Sequence, residues 1–334
     1  MLRRRKPEAS TPLDGVDVVL ADLDGVVYRG ELVIAHAVES LNRAALTRRV
    51  GYITNNASRT TEDVAEQLRT LGLRAVAEDV VSSPQAAVAL LSTMIPARST
   101  VLVIGGEGLV SEVTAAGFGV TASADDHPAA VVQGFHPTVG WAHLAEAAFA
   151  LENEQIPWIA TNQDWTIPLA RGIAPGNGTL VSAVHTAAGI LPTVAGKPER
   201  AIFDTAVARF GAVSPLMIGD RLDTDIVGAN RAGIPTVQVL TGVDGARQLL
   251  AAGPDERPTY ILDDLRGLHE EYPMVQVRGS SYRVRDAIVR LDGDTIVIDQ
   301  FGLNRTDLLR AGTSLIWESG RQIYGFYVPE ALYA

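Results

Sequence analysis

The chain has no cysteine among its 334 residues. Disulfides, thiolate nucleophiles and thiolate-bound zinc or iron–sulfur clusters are thereby excluded. Positive charge is also short: 28 Lys and Arg stand against 39 Asp and Glu, a net charge of −11. Binding to nucleic acid, which needs a basic face, is not expected. The one basic run, Arg3-Arg4-Arg5-Lys6, is expected to be a solvated terminus. No apolar stretch approaches the roughly 18 residues of a membrane-spanning helix, so no membrane insertion is expected. The N-terminus lacks the apolar core of a signal peptide, and the chain is expected in the cytoplasm. Apolar residues make up 47% and charged residues 20%, the balance of a well-packed globular chain. The length suits two or three domains.

Strand-length apolar runs alternate with amphipathic, Ala/Leu/Arg-rich segments over residues 16–272. That alternation predicts βαβ units, hence an α/β fold with a parallel, doubly wound sheet. Strands are expected at 17–21, 50–53, 101–104, 130–133, 158–160, 216–218 and 236–239. Helices are expected at 37–47, 61–71, 84–94, 141–152, 178–188, 199–210 and 224–232. Residues 14–83 and 192–272 read as a core interrupted by an inserted βαβ module, 84–191. Residues 273–334 read as a small C-terminal α+β module. Its strands are expected at 282–291, 295–299, 314–317 and 322–328, with a short helix at 304–311.

Four polar motifs sit where apolar strands end. In Val18-Val19-Leu20-Ala21-Asp22-Leu23-Asp24-Gly25, two aspartates one residue apart leave a strand on the same face. Paired carboxylates repel unless a cation or a shared proton relieves them. Thr54-Asn55-Asn56 ends the second strand and offers donors to phosphate oxygens. Gly196-Lys197-Pro198 places one ammonium before a helix. Gly219-Asp220-Arg221-Leu222-Asp223-Thr224-Asp225 brings three acids within six residues. Hard oxygens of this kind suit Mg²⁺. Each motif alone has a plain structural reading: an Asx-turn, a helix cap or a solvated side chain. Together they fall where open α/β sheets bind ligands, beyond the carboxyl ends of the strands.

The set Asp22-x-Asp24-Gly25, Thr54-Asn55-Asn56, Lys197 and Gly219-Asp220…Thr224-Asp225 resembles the haloacid dehalogenase superfamily of phosphatases. The likeness covers roughly residues 14–265. It is specific to the subfamily with a C2-type α/β cap inserted after the second motif, and is nearest its bacterial glycerol-3-phosphate phosphatases, which carry an extra C-terminal module. The resemblance implies a Rossmann-like parallel core with an inserted α/β cap at 84–191. It implies that Asp22 is the nucleophile and Asp24 the general acid/base, with Lys197 and Asp225 supporting catalysis. It implies that Thr54, Asn55 and Asn56 bind phosphate, and that Asp22, Asp24 and Asp220 hold Mg²⁺. The implied substrate is a small phosphorylated metabolite, glycerol 3-phosphate first. Phosphoglycolate, pyridoxal phosphate and nucleotide monophosphates are alternatives. A different reading is a ligand sensor or interaction protein in which the C-terminal module is primary.

Within the inserted module, Thr161-Asn162-Gln163-Asp164-Trp165 follows a strand. Asn162, Asp164 and Trp165, with Arg171 further on, are expected to contact substrate. Ile104-Gly105-Gly106-Glu107-Gly108 fails the spacing of a dinucleotide loop, so a nucleotide cofactor is not expected. Residues 273–334 faintly resemble part of an acetyltransferase-like fold. The string 290–295 ends in Thr where an acyl-CoA loop needs Gly or Ala, so acetyl transfer is not expected. Covering the core, or pairing two chains as a homo-oligomer along a sheet edge, is expected instead.

Overall fold

The strand Val18–Ala21 is the sequence Val-Val-Leu-Ala, buried at every position, as a parallel strand covered on both faces demands. The computed structural model describes residues 10–30, 32–152, 155–169 and 171–333. The basic run Arg3-Arg4-Arg5-Lys6 lies outside the described residues. The chain divides into two compact units: Met1–Val50 with Ser214–Ala334, and Gly51–Val213. No helix among the described residues is long and apolar enough to cross a membrane.

In the first unit, Val18–Ala21 pairs in parallel with Pro215–Gly219. Pro215–Gly219 pairs with Thr236–Val239, and that strand with Tyr260–Leu262, all in parallel. A second, antiparallel sheet runs in the order Val275–Arg278, Ser281–Val284, Ala287–Asp292, Thr295–Gln300. The helix Arg305–Glu318 packs on this sheet. Its Leu308, Leu309, Leu315 and Ile316 share one core with Val284, Val289 and Ile296 of the sheet. The same core takes in Leu222, Ile226, Leu249 and Ile261. Residues 273–334 therefore bury their apolar face against the segment that carries the Asp220–Asp225 motif.

In the second unit, Arg49–Thr54 pairs in parallel with Val80–Ser82. A five-stranded parallel sheet has the order Thr193–Val194, Trp158–Ala160, Ala130–Gln133, Thr100–Ile104, Gly119–Thr121. Leu102, Ile104, Val131 and Trp158 of that sheet pack with Ala147 and Leu151 of the helix Trp141–Leu151 and Val181 and Val184 of the helix Asn177–Ala188. An antiparallel hairpin, Thr166–Leu169 with Gly172–Pro175, follows the Thr161–Trp165 loop. The helix Thr61–Thr70 opens on a capping box: Thr60 accepts from Asp63 N–H at 3.2 Å, and Asp63 accepts from Thr60 N–H at 3.1 Å. The glycines of Gly105-Gly106-Glu107-Gly108 sit in close contacts. A Cβ on Gly108 would stand 2.3 Å from the Arg59 carbonyl.

The seven expected strands of residues 16–272 all form, within a residue or so. The C-terminal region differs. Residues 314–317, read as a strand, lie inside the helix Arg305–Glu318. Asn304 caps it by accepting from Thr306 N–H at 2.8 Å. The helical recurrence of Leu308, Ala311, Leu315 outweighs the local β-branched texture. The expected strand 282–291 is broken at Arg285, which takes φ +50 and turns the chain between two strands. Residues 322–328 form a short 3₁₀ turn, Ile323–Gly325, after which Tyr327 bridges Thr295. The helix expected at 224–232 opens two residues earlier, as the π turn Leu222–Ile226.

Candidate active site

Val18–Ala21 ends one residue before Asp22, whose N–H still donates to Ile218 O at 2.9 Å. Asp22 is therefore the first side chain beyond a buried strand, held beside the end of Pro215–Gly219. Asp24 is not in the strand, so the alternation argument does not place it; it sits in a turn and is exposed, while Asp22 is buried. Gly25 takes φ +80, which lets the chain reverse directly after the pair.

One carboxylate oxygen each of Asp22, Asp220 and Asp225 lies within 4.8 Å of the others. These residues are 7%, 1% and 1% exposed. Three anions at this spacing and burial repel by several kcal/mol unless cations balance them. The donor set is all hard oxygen, the kind of ligand that Mg²⁺ takes. Asp22, Asp220 and Asp225 thus fit Mg²⁺. Among the described residues this is the one such acid or histidine cluster.

Local structure explains the selection of acids. The π turn Leu222–Ile226 swings Asp225 back, so that its Oδ2 accepts from Asp220 N–H at 3.3 Å and Arg221 N–H at 3.2 Å. A Cβ on Gly219 would stand 2.2 Å from the Asp225 Cβ, so only glycine permits this return. Asp223, the middle acid of the motif, instead pairs with Arg221 at 2.8 Å and is largely exposed. Asp220 is held at both ends. Its Oδ2 accepts from Val243 N–H at 2.7 Å. Asp244 lies beside this group; burial, and then the nearby Asp223 and Asp225 charges, push its carboxyl above the usual range.

The second unit gathers the other expected residues. Thr54 ends its strand, buried, and accepts from Asn56 N–H at 3.1 Å. The Asn56 carboxamide accepts from Ser58 N–H and Ser58 Oγ at 2.9 and 2.8 Å, a local turn. Asn55 joins three segments. Its Oδ1 accepts from Lys197 N–H at 2.8 Å. Its Nδ2 donates to Lys197 O at 3.1 Å and reaches the Asp164 carboxylate at 3.2 and 3.3 Å. Its carbonyl accepts from Asn162 Nδ2 and Ser83 Oγ, each at 2.8 Å. Lys197 is 4% exposed. Gly196 lets the strands close here, since a Cβ would stand 2.5 Å from Asn55 Oδ1.

Asn162 is buried, and its Oδ1 accepts from Asp164 N–H at 3.1 Å. Asn177 Nδ2 donates to Asn162 O at 2.8 Å. Trp165 is exposed, and Arg171 is exposed at the turn of the following hairpin. The first unit thus brings together Asp22, Asp220 and Asp225, and the second Asn55, Asn162, Asp164 and Lys197. The sequence reading missed Ser83, Asn177 and the segment Thr241–Asp244. Small and polar residues directly after a strand, Thr241-Gly242-Val243-Asp244, were the available signal for the last.

Comparison with known proteins identifies the family. Residues 19–119 match the family model described as haloacid dehalogenase-like hydrolase, and residues 194–268 a second described as HAD-hydrolase-like. The chain is 43% identical over 307 residues to a D-glycerol 3-phosphate phosphatase of Mycobacterium tuberculosis, covering 91% of this chain and 86% of that one. A crystal structure of glycerol phosphate phosphatase from Mycobacterium tuberculosis in complex with magnesium superimposes with a TM-score of 0.87 at 39% identity, over 96% of this chain and 95% of that one. A thermostable NPPase from Geobacillus stearothermophilus superimposes with a TM-score of 0.67 at 31% identity, over 75% of this chain and 96% of its own. The chain belongs to the haloacid dehalogenase-like hydrolase family.

Proposed function

We propose that this protein is a Mg²⁺-dependent phosphatase that hydrolyses a small phosphate monoester, glycerol 3-phosphate first among candidates. The carrying observation is the buried carboxylate cluster Asp22, Asp220 and Asp225 beyond the ends of two adjacent parallel strands. The substrate is supported by the 43% identity to a D-glycerol 3-phosphate phosphatase.

In this reading Asp22 attacks phosphorus. The new bond joins the Asp22 oxygen to phosphorus, and the bond from phosphorus to the ester oxygen breaks. Asp24, exposed at the turn, gives its proton to the departing alkoxide. It then takes a proton from water, whose oxygen attacks the aspartyl-phosphate and releases inorganic phosphate. Asp22 and Asp220 would hold Mg²⁺ together with the Asp24 segment, with Asp225 beside them, and the ion would neutralise charge on the phosphoryl oxygens. Asp225 fixes the turn that carries Asp220. Lys197 is the cation that balances the transferred phosphoryl group. Thr54, Asn55 and Asn56 form the phosphate-binding segment. The Asn55 carboxamide, already engaged by Lys197 and Asp164, acts by position. Residues 84–191 serve as the cap, with Asn162 and Asp164 shaping a loop and Trp165 and Arg171 as substrate contacts.

The test is phosphate release from glycerol 3-phosphate, phosphoglycolate, pyridoxal phosphate and nucleoside monophosphates, with and without EDTA. Metal-dependent release, highest with glycerol 3-phosphate, is the expected result. Asp22→Asn is expected to abolish it while the protein still folds, as a cooperative melt shows. Turnover that survives in Asp22→Asn overturns the mechanism. Preference for another ester overturns the substrate. No metal-dependent release from any of them leaves a ligand-binding protein.

A further inference from the structure

Thr236–Val239 is a buried parallel strand, a place where aliphatic side chains are expected. Its third residue is Gln238, 0% exposed. A buried carboxamide belongs where it has partners. Gln238 Nε2 donates to Asp220 O at 2.7 Å and reaches Asp244 O at 3.1 Å and Val239 O at 3.2 Å. The Asp220 carbonyl also accepts from Asp244 N–H at 3.1 Å. Gln238 Oε1, equally buried, has no hydrogen-bond partner in the structure. The oxygen is a cost that the bonds of the side chain's N–H groups offset.

What they hold is a collar. The segment Thr241–Asp244 wraps Asp220 so closely that a Cβ on Gly242 would stand 1.9 Å from Asp220 Oδ2, and one on Gly25 2.1 Å from the same atom. Val243 N–H binds that oxygen. Thr241 Oγ1 donates to Gly25 O at 2.7 Å, closing the collar on the far side. Arg29 Nη2 adds a bond to Gly242 O at 3.1 Å. Gln238 fastens the other end, at the backbone of Asp220 and Asp244.

We infer that Gln238 is a positioning residue for the divalent ion: through this collar it fixes the direction in which Asp220 presents its carboxylate to those of Asp22 and Asp225. The inference rests on reading that cluster as the Mg²⁺ site. Gln238→Met keeps the length and removes both donors. Thr241→Val loosens the opposite end, nearer the surface. Mg²⁺ binding to substrate-free protein is measured by calorimetry, beside the urea midpoint of each variant. Gln238→Met is expected to weaken Mg²⁺ binding by about 10- to 100-fold. The Mg²⁺ needed for half-maximal turnover rises in step, while KM for the ester at saturating Mg²⁺ stays at the wild-type value. Thr241→Val is expected to give a smaller loss of the same kind. Wild-type Mg²⁺ affinity in Gln238→Met overturns the inference, whatever happens to the urea midpoint. If Gln238→Met does not fold, wild-type affinity in Thr241→Val overturns it. Asp220→Asn separates the two readings. Wild-type Mg²⁺ affinity there removes the cluster as the ion site. Lost affinity there, with Gln238→Met unchanged, removes Gln238 alone.

Discussion

At the scale of single residues, glycine and asparagine set the site as much as the acids do. Gly242 has no room for a side chain beside Asp220 Oδ2. Gly242→Ala is expected to displace that carboxylate, lower stability by about 1–3 kcal/mol and weaken Mg²⁺ binding. Denaturant midpoints and a Mg²⁺ titration check both. Asn55 offers a second case. Its sequence neighbours suggest a phosphate ligand, yet its carboxamide is spent on Lys197 and Asp164. Asn55→Ala removes those bonds and is expected to cost about 1–3 kcal/mol. Asn55→Asp keeps an acceptor for Lys197 N–H but sets a carboxylate against Asp164, so its melting temperature should fall at least as far. A residue that only touched phosphate would leave the melting temperature of the free protein unchanged. The acids themselves were legible from residue type and order. Their supports were not, because Asp220 and Gly242 are 22 positions apart and meet only in the fold.

At the scale of elements, strand ends were legible because each run of apolar residues stops at a polar one. Val18–Ala21 stops at Asp22, and Pro215–Gly219 at Asp220. The π turn was not legible, since nothing in Leu-Asp-Thr-Asp-Ile distinguishes it from an α-helical turn. The 3₁₀ segment Leu265–His269 packs on the helix Ala37–Ala44 through His269, whose Nε2 lies 2.9 Å from Ser40 O. Burial, with Arg43 and Arg48 nearby, holds this imidazole below its ordinary 6.5. The folded protein then resists a proton that the unfolded chain accepts. Stability is full above that ordinary value, and falls as pH is lowered through it towards the folded value. Urea midpoints taken between about pH 7.5 and 5.5 should show this fall. His269→Asn should remove its share of the slope.

At the scale of the whole molecule, residues 273–334 are part of the first unit's core. Leu308 and Leu315 pack with Leu222 and Ile226, which lie within the turn that presents Asp225. Each such side chain contributes about 1.5–3 kcal/mol by burial. A chain ending at residue 272 is therefore expected to lose cooperative unfolding and to bind a hydrophobic dye. A calorimetric melt and dye fluorescence test this. A truncated chain that melts as one sharp transition would show the segment to be dispensable. The Geobacillus phosphatase, aligned over 96% of itself but 75% of this chain, shows that the family fold also exists in a shorter form.

The amino-acid order alone determined the α/β class, the parallel strands and the acids at their ends, because strand-length apolar runs bounded by polar residues are encoded locally. It also carried the family through Asp22, Thr54, Lys197 and Asp220. Only the tertiary structure decided which carboxylates meet. It chose Asp22, Asp220 and Asp225 over Asp223, which turned to Arg221. It also decided that 314–317 continue a helix, and that Gln238, inside a buried strand, serves an aspartate of another strand end. Those outcomes depend on burial and hydrogen-bond partners brought from distant positions, and no local periodicity contains them.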